Sequence, residues 1–232
     1  MENDTERKPL ILNGARQVGK TYILREFGRA EYQNTVYVNL ESNSSVASLF
    51  DDDISAAKLI KYLEAATGER ILPHETLIIL DEIQSCERAV TSLKYFCEET
   101  PNYHITAARS LLGVAINRNK TSFPVGKVNI NHLFPMDFEE FLLASGKELL
   151  CDTIKECYDS FEPMTAPLHK KALEKYRDYL IVGVMPEAVK RFIETNSYID
   201  AGLIQSDIAD NYLADMAKED VISVPLYAVF LI

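Results

Sequence analysis

The stretch Gly14-Ala15-Arg16-Gln17-Val18-Gly19-Lys20-Thr21 constrains this chain more than any other. It is a complete G-x-x-x-x-G-K-[ST] pattern. Pro9-Leu10-Ile11-Leu12 precedes it as a buried strand would, and Tyr22-Ile23-Leu24-Arg25-Glu26-Phe27 follows with apolar residues at helical spacing. Strand, glycine loop and helix in that order make a cradle for polyphosphate. Gly14 and Gly19 lack a Cβ, so the loop can take unusual dihedrals and aim backbone N–H groups inward. The following helix adds unpaired N–H groups and the positive end of its dipole. Lys20 places an ammonium on the β- and γ-phosphates of a nucleoside triphosphate, and the Thr21 hydroxyl is short enough to ligate Mg²⁺. The competing reading is a chance match in a glycine turn, and the flanking strand and helix weigh against it.

Thr76-Leu77-Ile78-Ile79-Leu80-Asp81-Glu82-Ile83-Gln84 supplies a second constraint. Its unbroken apolar run reads as a strand buried on both faces, as in a parallel sheet. Asp81 and Glu82 then fall at the carboxyl end, where open α/β sheets put their ligands. Asp81 is expected to hold Mg²⁺. Glu82, pointing the other way in an extended chain, is expected to polarise a water for in-line attack on the γ-phosphate. Acidic residues that merely solvate a strand end are the plainer alternative, and the upstream loop argues for the catalytic one.

The lines from Lys8 to Thr21 and Leu80-Asp81-Glu82-Ile83-Gln84 resemble a large family of prokaryotic AAA-type ATPases, whose members usually carry a C-terminal domain of unknown function. The resemblance continues through Ala89 to Phe96, Ser110-Leu111-Leu112-Gly113, Ser122 to Val128, Phe134 to Phe141 and Tyr179 to Val189. It implies an α/β fold: a P-loop NTPase parallel sheet sandwiched by helices, followed by a helical lid domain. By the same resemblance Ser110, at the end of a strand beside the phosphate-loop strand, is the candidate sensor of the γ-phosphate.

The chain departs from the family in places. Arg109 stands where the family usually has glycine, and Val184 where it often has a second one. Arg109 reads as a tolerated exposed variant, as a side chain crowding a site that wants none, or as an arginine finger; the expectation is weakened hydrolysis. Both ends read as short. Met1-Glu2-Asn3-Asp4 leads almost directly into the first strand, and the apolar run from Val221 to Ile232 does not match the family's continuation. It reads as a truncated or frame-shifted tail, and an apolar terminus with little to pack on is an aggregation liability.

Alternating strands and helices are expected from residue 9 to about residue 133. Residues 35–40 read as the second strand, 42–53 as a polar loop, 56–67 as a helix ended by Gly68, 89–98 as another helix and 127–133 as the last strand. Residues 117–124 read as a polar, mobile stretch. This makes about five parallel strands. Glu41 is taken as a solvated strand end. Asp137 followed by Glu140 marks a helix start. Beyond it the pattern is helical, with Leu173, Tyr176, Leu180 and Ile181 on one buried face and Ile193, Ile204, Ile208 and Tyr212 on others. Arg177 and Arg191 are candidates for a basic sensor carried by the lid. The expected division is 1–134 for the ATPase core, 135–219 for the helical lid and 220–232 for the atypical tail.

The formal net charge of −11 over 232 residues disfavours nonspecific nucleic-acid binding. Cys86, Cys97, Cys151 and Cys157 form no C-x-x-C pair, so neither a zinc site nor a disulfide framework is indicated. His74, His104, His132 and His169 stand apart in sequence and receive no ligand role. The polar opening residues do not form a signal peptide, and the terminal apolar run is too short to span a bilayer. A cytoplasmic protein without membrane attachment is expected. Its expected function is ATP binding with Mg²⁺-dependent hydrolysis coupled to conformational change. The alternative is a nucleotide-binding interaction module with impaired hydrolysis. A protein client or a homo-oligomer is a possible partner. The lack of an Asn-Lys-x-Asp element disfavours a GTPase, and a small-molecule kinase is a weaker alternative.

Overall fold

The computed structural model describes residues 7–110 and 123–218. The stretch around residues 117–122 and the terminal tail lie outside the described residues. The chain divides into two compact units, Met1–Leu133 and Phe134–Ile232.

The first unit is built on a five-stranded sheet. Its strands are β1 (Leu10–Gly14), β2 (Asn34–Asn39), β3 (Thr76–Asp81), β4 (His104–Ser110) and β5 (Asn129–Leu133). All pairs are parallel, in the order β2-β3-β4-β1-β5. Parallel strands need crossovers, and helices α1 (Lys20–Glu31), α3 (Ala56–Thr67) and α4 (Glu87–Glu99) provide them. One sheet face buries Ile11, Val36, Val38, Ile78, Leu80, Ile105 and Ala107 against Leu59 and Leu63 of α3 and Leu93 and Phe96 of α4. The other packs Leu12, Leu77, Ile79 and Ala108 against Leu24 of α1. Every residue of β3 is buried, as its unbroken apolar run requires. Fully burying each of the four apolar side chains Leu77, Ile78, Ile79 and Leu80 contributes about 1.5–3 kcal/mol before conformational entropy is subtracted. Gly68 ends α3 at φ 74, its N–H donating to the Glu64 carbonyl at 2.9 Å.

Residues 42–53 are not the open polar loop expected. They hold a short helix α2 (Ser44–Ala47) and a 3₁₀ turn (Ser48–Phe50). Asn43 caps α2 by accepting the Val46 N–H at 3.2 Å. Val46 and Phe50 are buried in the core. Four apolar residues, Val46, Ala47, Leu49 and Phe50, among eight polar ones make too short a pattern to reveal this.

The second unit is helical: α5 (Phe138–Ala144), α6 (Glu148–Ser160), α7 (Ala166–Val182), α8 (Pro186–Thr195) and α9 (Tyr198–Lys218). Asp137 opens α5 with a full capping box: its Oδ1 accepts the Glu140 N–H at 2.8 Å, and Glu140 Oε2 accepts the Asp137 N–H at 2.9 Å. Phe141, Val182, Val189, Phe192 and Ala201 form the main cluster. The buried face expected on α7 is a correction. Leu173, Tyr176, Leu180 and Ile181 are all exposed, Leu180 by 62%. The inward stripe instead runs through buried Val182 and the partly buried Ala172 and Tyr179. Apolar residues ring much of this helix, so periodicity alone does not choose the face. Ile193 is also exposed, whereas Ile208 and Tyr212 are buried as expected.

Candidate functional site

Gly14 is the last residue of β1, and the phosphate-type loop starts there. Its role differs from the one expected. Left-handed dihedrals fall on Gly19 (φ 94) and on Gln17 (φ 64), not on Gly14. Gly14 is required for clearance: a Cβ there would lie 2.5 Å from the Leu133 carbonyl oxygen of β5. Ala15, Arg16 and Gln17 line the open side of the turn, while Val18 tucks into the interior at 3% exposure. Arg16 Nη2 donates to Glu41 Oε2 at 3.0 Å, so Glu41 is solvent-exposed as expected and also forms an ion pair with the loop.

Lys20 is the first residue of α1 and only 6% exposed. Its Nζ donates to the carbonyls of Ala15 (2.7 Å) and Gly14 (3.2 Å), which folds the ammonium back over the loop. Burial pushes the Lys20 pKa down, while Glu82 and Asp81 pull it up. A buried cation bonded to neutral carbonyls is a site short of negative charge.

Thr21 Oγ1 donates to Asp81 Oδ2 at 2.8 Å, joining the loop helix to the end of β3. Asp81 is buried at 3% exposure. Two further donors hold it: Tyr37 Oη reaches the same Oδ2 at 2.8 Å, and the Glu82 N–H reaches Oδ1 at 3.0 Å. Tyr37 stands on β2, beside β3. Its phenol is pushed up to about 12 by burial and by the hydrogen bond to Asp81. The Arg25 guanidinium, one turn beyond Thr21 on α1, covers the Tyr37 ring at 4.6 Å.

Glu82 is not extended as expected. It adopts φ 50, ψ 45, the left-handed region. The strand must turn at once into a 3₁₀ turn (Ile83–Ser85), and this residue takes the reversal. Its carboxylate accepts from the Gln84 side-chain amide. Gln84 Oε1 in turn accepts the Ser110 N–H at 3.2 Å, so one amide links Glu82 to the end of β4.

Ser110 is the register partner of Gly14, and Arg109 that of Asn13. Ser110 Oγ and Asn13 Oδ1 are buried with no hydrogen-bond partner among the described residues. Strand alternation puts Ser110 on the α1 side, with Ala108, and Arg109 on the opposite side, with Ala107. Arg109 is half-buried, not a freely exposed variant. Its guanidinium lies 5.9 Å from the Phe123 ring centroid, its Nε has no hydrogen-bond partner among the described residues, and burial pushes its pKa down. Arg177 on α7 and Arg191 on α8 are exposed residues of the second unit.

The structure thus gathers the loop, Lys20, Thr21, Asp81, Glu82 and Ser110 at the carboxyl ends of β1, β3 and β4. Sequence reasoning missed Tyr37 and Asn13 and saw Gln84 only as part of a motif line. Alternation along β2 puts Tyr37 on the face opposite Val36 and Val38, but nothing local pairs it with Asp81.

No cluster of three or more His, Cys, Asp or Glu side chains suited to a metal occurs among the described residues. The donor set fits a magnesium ion that keeps waters and takes phosphate oxygens, with one hydroxyl and one carboxylate from the protein. No helix among the described residues is long and apolar enough to cross a membrane.

A family model described as an AAA domain matches residues 6–142, more than half of the chain. No curated protein matches it. Solved structures similar to it include C. elegans PCH-2, at 11% identity and TM-score 0.47, covering 85% of this chain and 57% of that one. Another is the Aeropyrum pernix ORC2 protein in its ADP form, at 15% identity and TM-score 0.38, covering 62% of this chain and 46% of that one. The chain spans about half the length of these structures.

Proposed function

The chain belongs to the AAA domain family, and from that premise we propose that it binds ATP with Mg²⁺, hydrolyses it, and couples turnover to movement of a helical lid formed by residues 135–219. Membership supports a nucleotide-binding, ATPase-like protein. The observation that carries the finer reading is the 2.8 Å hydrogen bond from Thr21 to Asp81, which joins the loop to the acidic strand end.

In this reading Lys20 leaves its carbonyl partners for the β- and γ-phosphates, where its charge is finally matched. Backbone N–H groups from Ala15 to Thr21 bind the remaining phosphate oxygens. Thr21 and Asp81 would hold magnesium, which supplies charge neutralisation at the β- and γ-oxygens. Glu82 orients the attacking water and accepts its proton. Ser110 Oγ, buried and without a hydrogen-bond partner among the described residues, donates to the γ-phosphate. The client is a protein or a second copy of the chain, and the net charge of −11 argues against nonspecific nucleic-acid binding. A cytoplasmic setting accords with the unpaired cysteines Cys86, Cys97, Cys151 and Cys157.

The test is paired measurement of ATP affinity and steady-state phosphate release. Glu82→Gln is expected to bind and not turn over; retained turnover removes Glu82 from the base role. A second reading, a nucleotide-binding interaction module without useful hydrolysis, draws on the Gln84 amide that occupies Glu82. Tight ATP binding by the parent protein with no phosphate release would select it.

A further inference from the structure

Asp81 has an uneven set of partners. Two hydroxyls, from Thr21 and Tyr37, donate to Oδ2, each at 2.8 Å. One backbone N–H, from Glu82, donates to Oδ1 at 3.0 Å. An ionised carboxylate offers about four lone-pair directions, two per oxygen. With these three donors in place Oδ2 is saturated and Oδ1 keeps one direction. The arrangement is rigid. Tyr37 sits on a strand in register with β3, Asn39 opposite Asp81, and its ring lies under the Arg25 guanidinium at 4.6 Å.

A carboxylate open at one oxygen alone is a one-point ligand. Magnesium demands near-ideal octahedral geometry, keeps its waters and suits a single-point or water-mediated carboxylate. Calcium is larger, accepts six to eight oxygens and readily takes both oxygens of one carboxylate. Thr21 is needed at the phosphates, so Tyr37 is the donor whose main polar task is to occupy Oδ2.

We propose that Tyr37 is a positioning residue which, by filling one acceptor direction of Asp81, biases the nucleotide site toward magnesium and against calcium. This rests on the reading of the site as one for a metal-bound triphosphate. Tyr37→Phe keeps the ring, its packing and its contact with Arg25, and removes the hydroxyl. It frees one direction on Oδ2, so that Asp81 can offer both oxygens at once.

The test measures affinity for a fluorescent ATP analogue in saturating Mg²⁺, in saturating Ca²⁺ and in EDTA, for the parent and for Tyr37→Phe. It needs no turnover. The expected result is a parent preference for Mg²⁺ over Ca²⁺ that shrinks by about tenfold in the variant, the scale of one hydrogen bond to a charged group, with affinity in EDTA unchanged. An unchanged Mg²⁺-to-Ca²⁺ ratio overturns the role of Tyr37 and leaves the metal–nucleotide reading intact. A parent protein whose affinity ignores metal overturns that reading, and the selectivity role with it. Arg25→Gln gives an independent check: loosening the ring is expected to shrink the ratio in the same direction, by less.

Discussion

Gln84 Oε1 accepts the Ser110 N–H at 3.2 Å, so a side chain from the turn after β3 closes against the last residue of β4. The same amide donates to Glu82. An amide can do both at once; a carboxylate cannot, and an apolar residue can do neither. Gln84→Leu is therefore expected to lower phosphate release about tenfold, with ATP affinity held within about twofold, since it removes hydrogen bonds to Glu82 and Ser110 without touching the loop. Equal turnover in parent and variant would show that the bridge does not orient Glu82.

Two loop glycines should fail for different reasons. Gly14→Ala places a Cβ 2.5 Å from the Leu133 carbonyl, and the cost is steric, about 1–3 kcal/mol. Gly19→Ala meets no atom within 4 Å, but φ is 94. Its cost is conformational, of order 1 kcal/mol. Thermal unfolding without nucleotide should rank Gly14→Ala as the more destabilised. The opposite ranking would contradict the close packing of β1 on β5.

Lys20 is a buried charge whose hydrogen bonds go to two backbone carbonyls, and burial lowers its pKa against the opposing pull of Glu82 and Asp81. The folded state therefore binds that proton less readily than the unfolded chain, and stability from this group rises with pH toward the ordinary value of 10.5. At neutral pH the ammonium is a burden on the empty protein. Lys20→Met should raise the melting temperature without ligand and abolish the further rise caused by Mg-ATP. A lower melting temperature for the empty variant would mean that the carbonyl contacts outweigh the burial cost.

Tyr37 carries the opposite sign. Its folded pKa of about 12 lies above the ordinary 10.0, so its hydrogen-bonded neutral form contributes stability that is complete below pH 10 and lost as pH rises to about 12. The stability gap between the parent and Tyr37→Phe should be constant from neutral pH to 10 and close above it. Denaturant unfolding at stepped alkaline pH measures this, and a gap that closes below pH 9 would contradict it.

Arg109 stands beside Ser110, half-buried and with no partner for its Nε among the described residues. Arg109→Gly is expected to raise turnover, because it removes a bulky charge from a strand end next to the γ-phosphate sensor candidate. An unchanged rate would place Arg109 among tolerated substitutions, consistent with its projection to the sheet face opposite Ser110.

β1 and β3 were legible as compact apolar runs closed by a glycine or an acidic pair, and β2 by its β-branched and aromatic residues; β5, Asn-Ile-Asn-His-Leu and largely exposed, carries little apolar signal of its own. The loop and the Asp81–Glu82 pair were legible because their chemistry is written in adjacent residues. The contacts that organise them were not. Tyr37 meets Asp81 across 44 residues and Ser110 meets Gln84 across 26. The first pairing is fixed by strand register and the second by the 3₁₀ turn after β3, and a single sequence displays neither. The buried stripe of α7 was misassigned for a related reason: Leu173, Leu180 and Ile181 are apolar yet outward, and only packing partners distinguish them from Val182. The extended backbone expected at Glu82 failed because the chain reverses within one residue of the strand end.

The left-handed backbone at Glu82 also decides which substitutions there are interpretable. Asparagine and glycine tolerate φ 50 readily, whereas valine or isoleucine resists it. A dead Glu82→Val protein would confound loss of the proposed base with a bent turn, and the damage would spread through Gln84 to Ser110. Glu82→Asn keeps the backbone content while shortening and neutralising the side chain, so comparing it with Glu82→Gln separates reach from charge at one position.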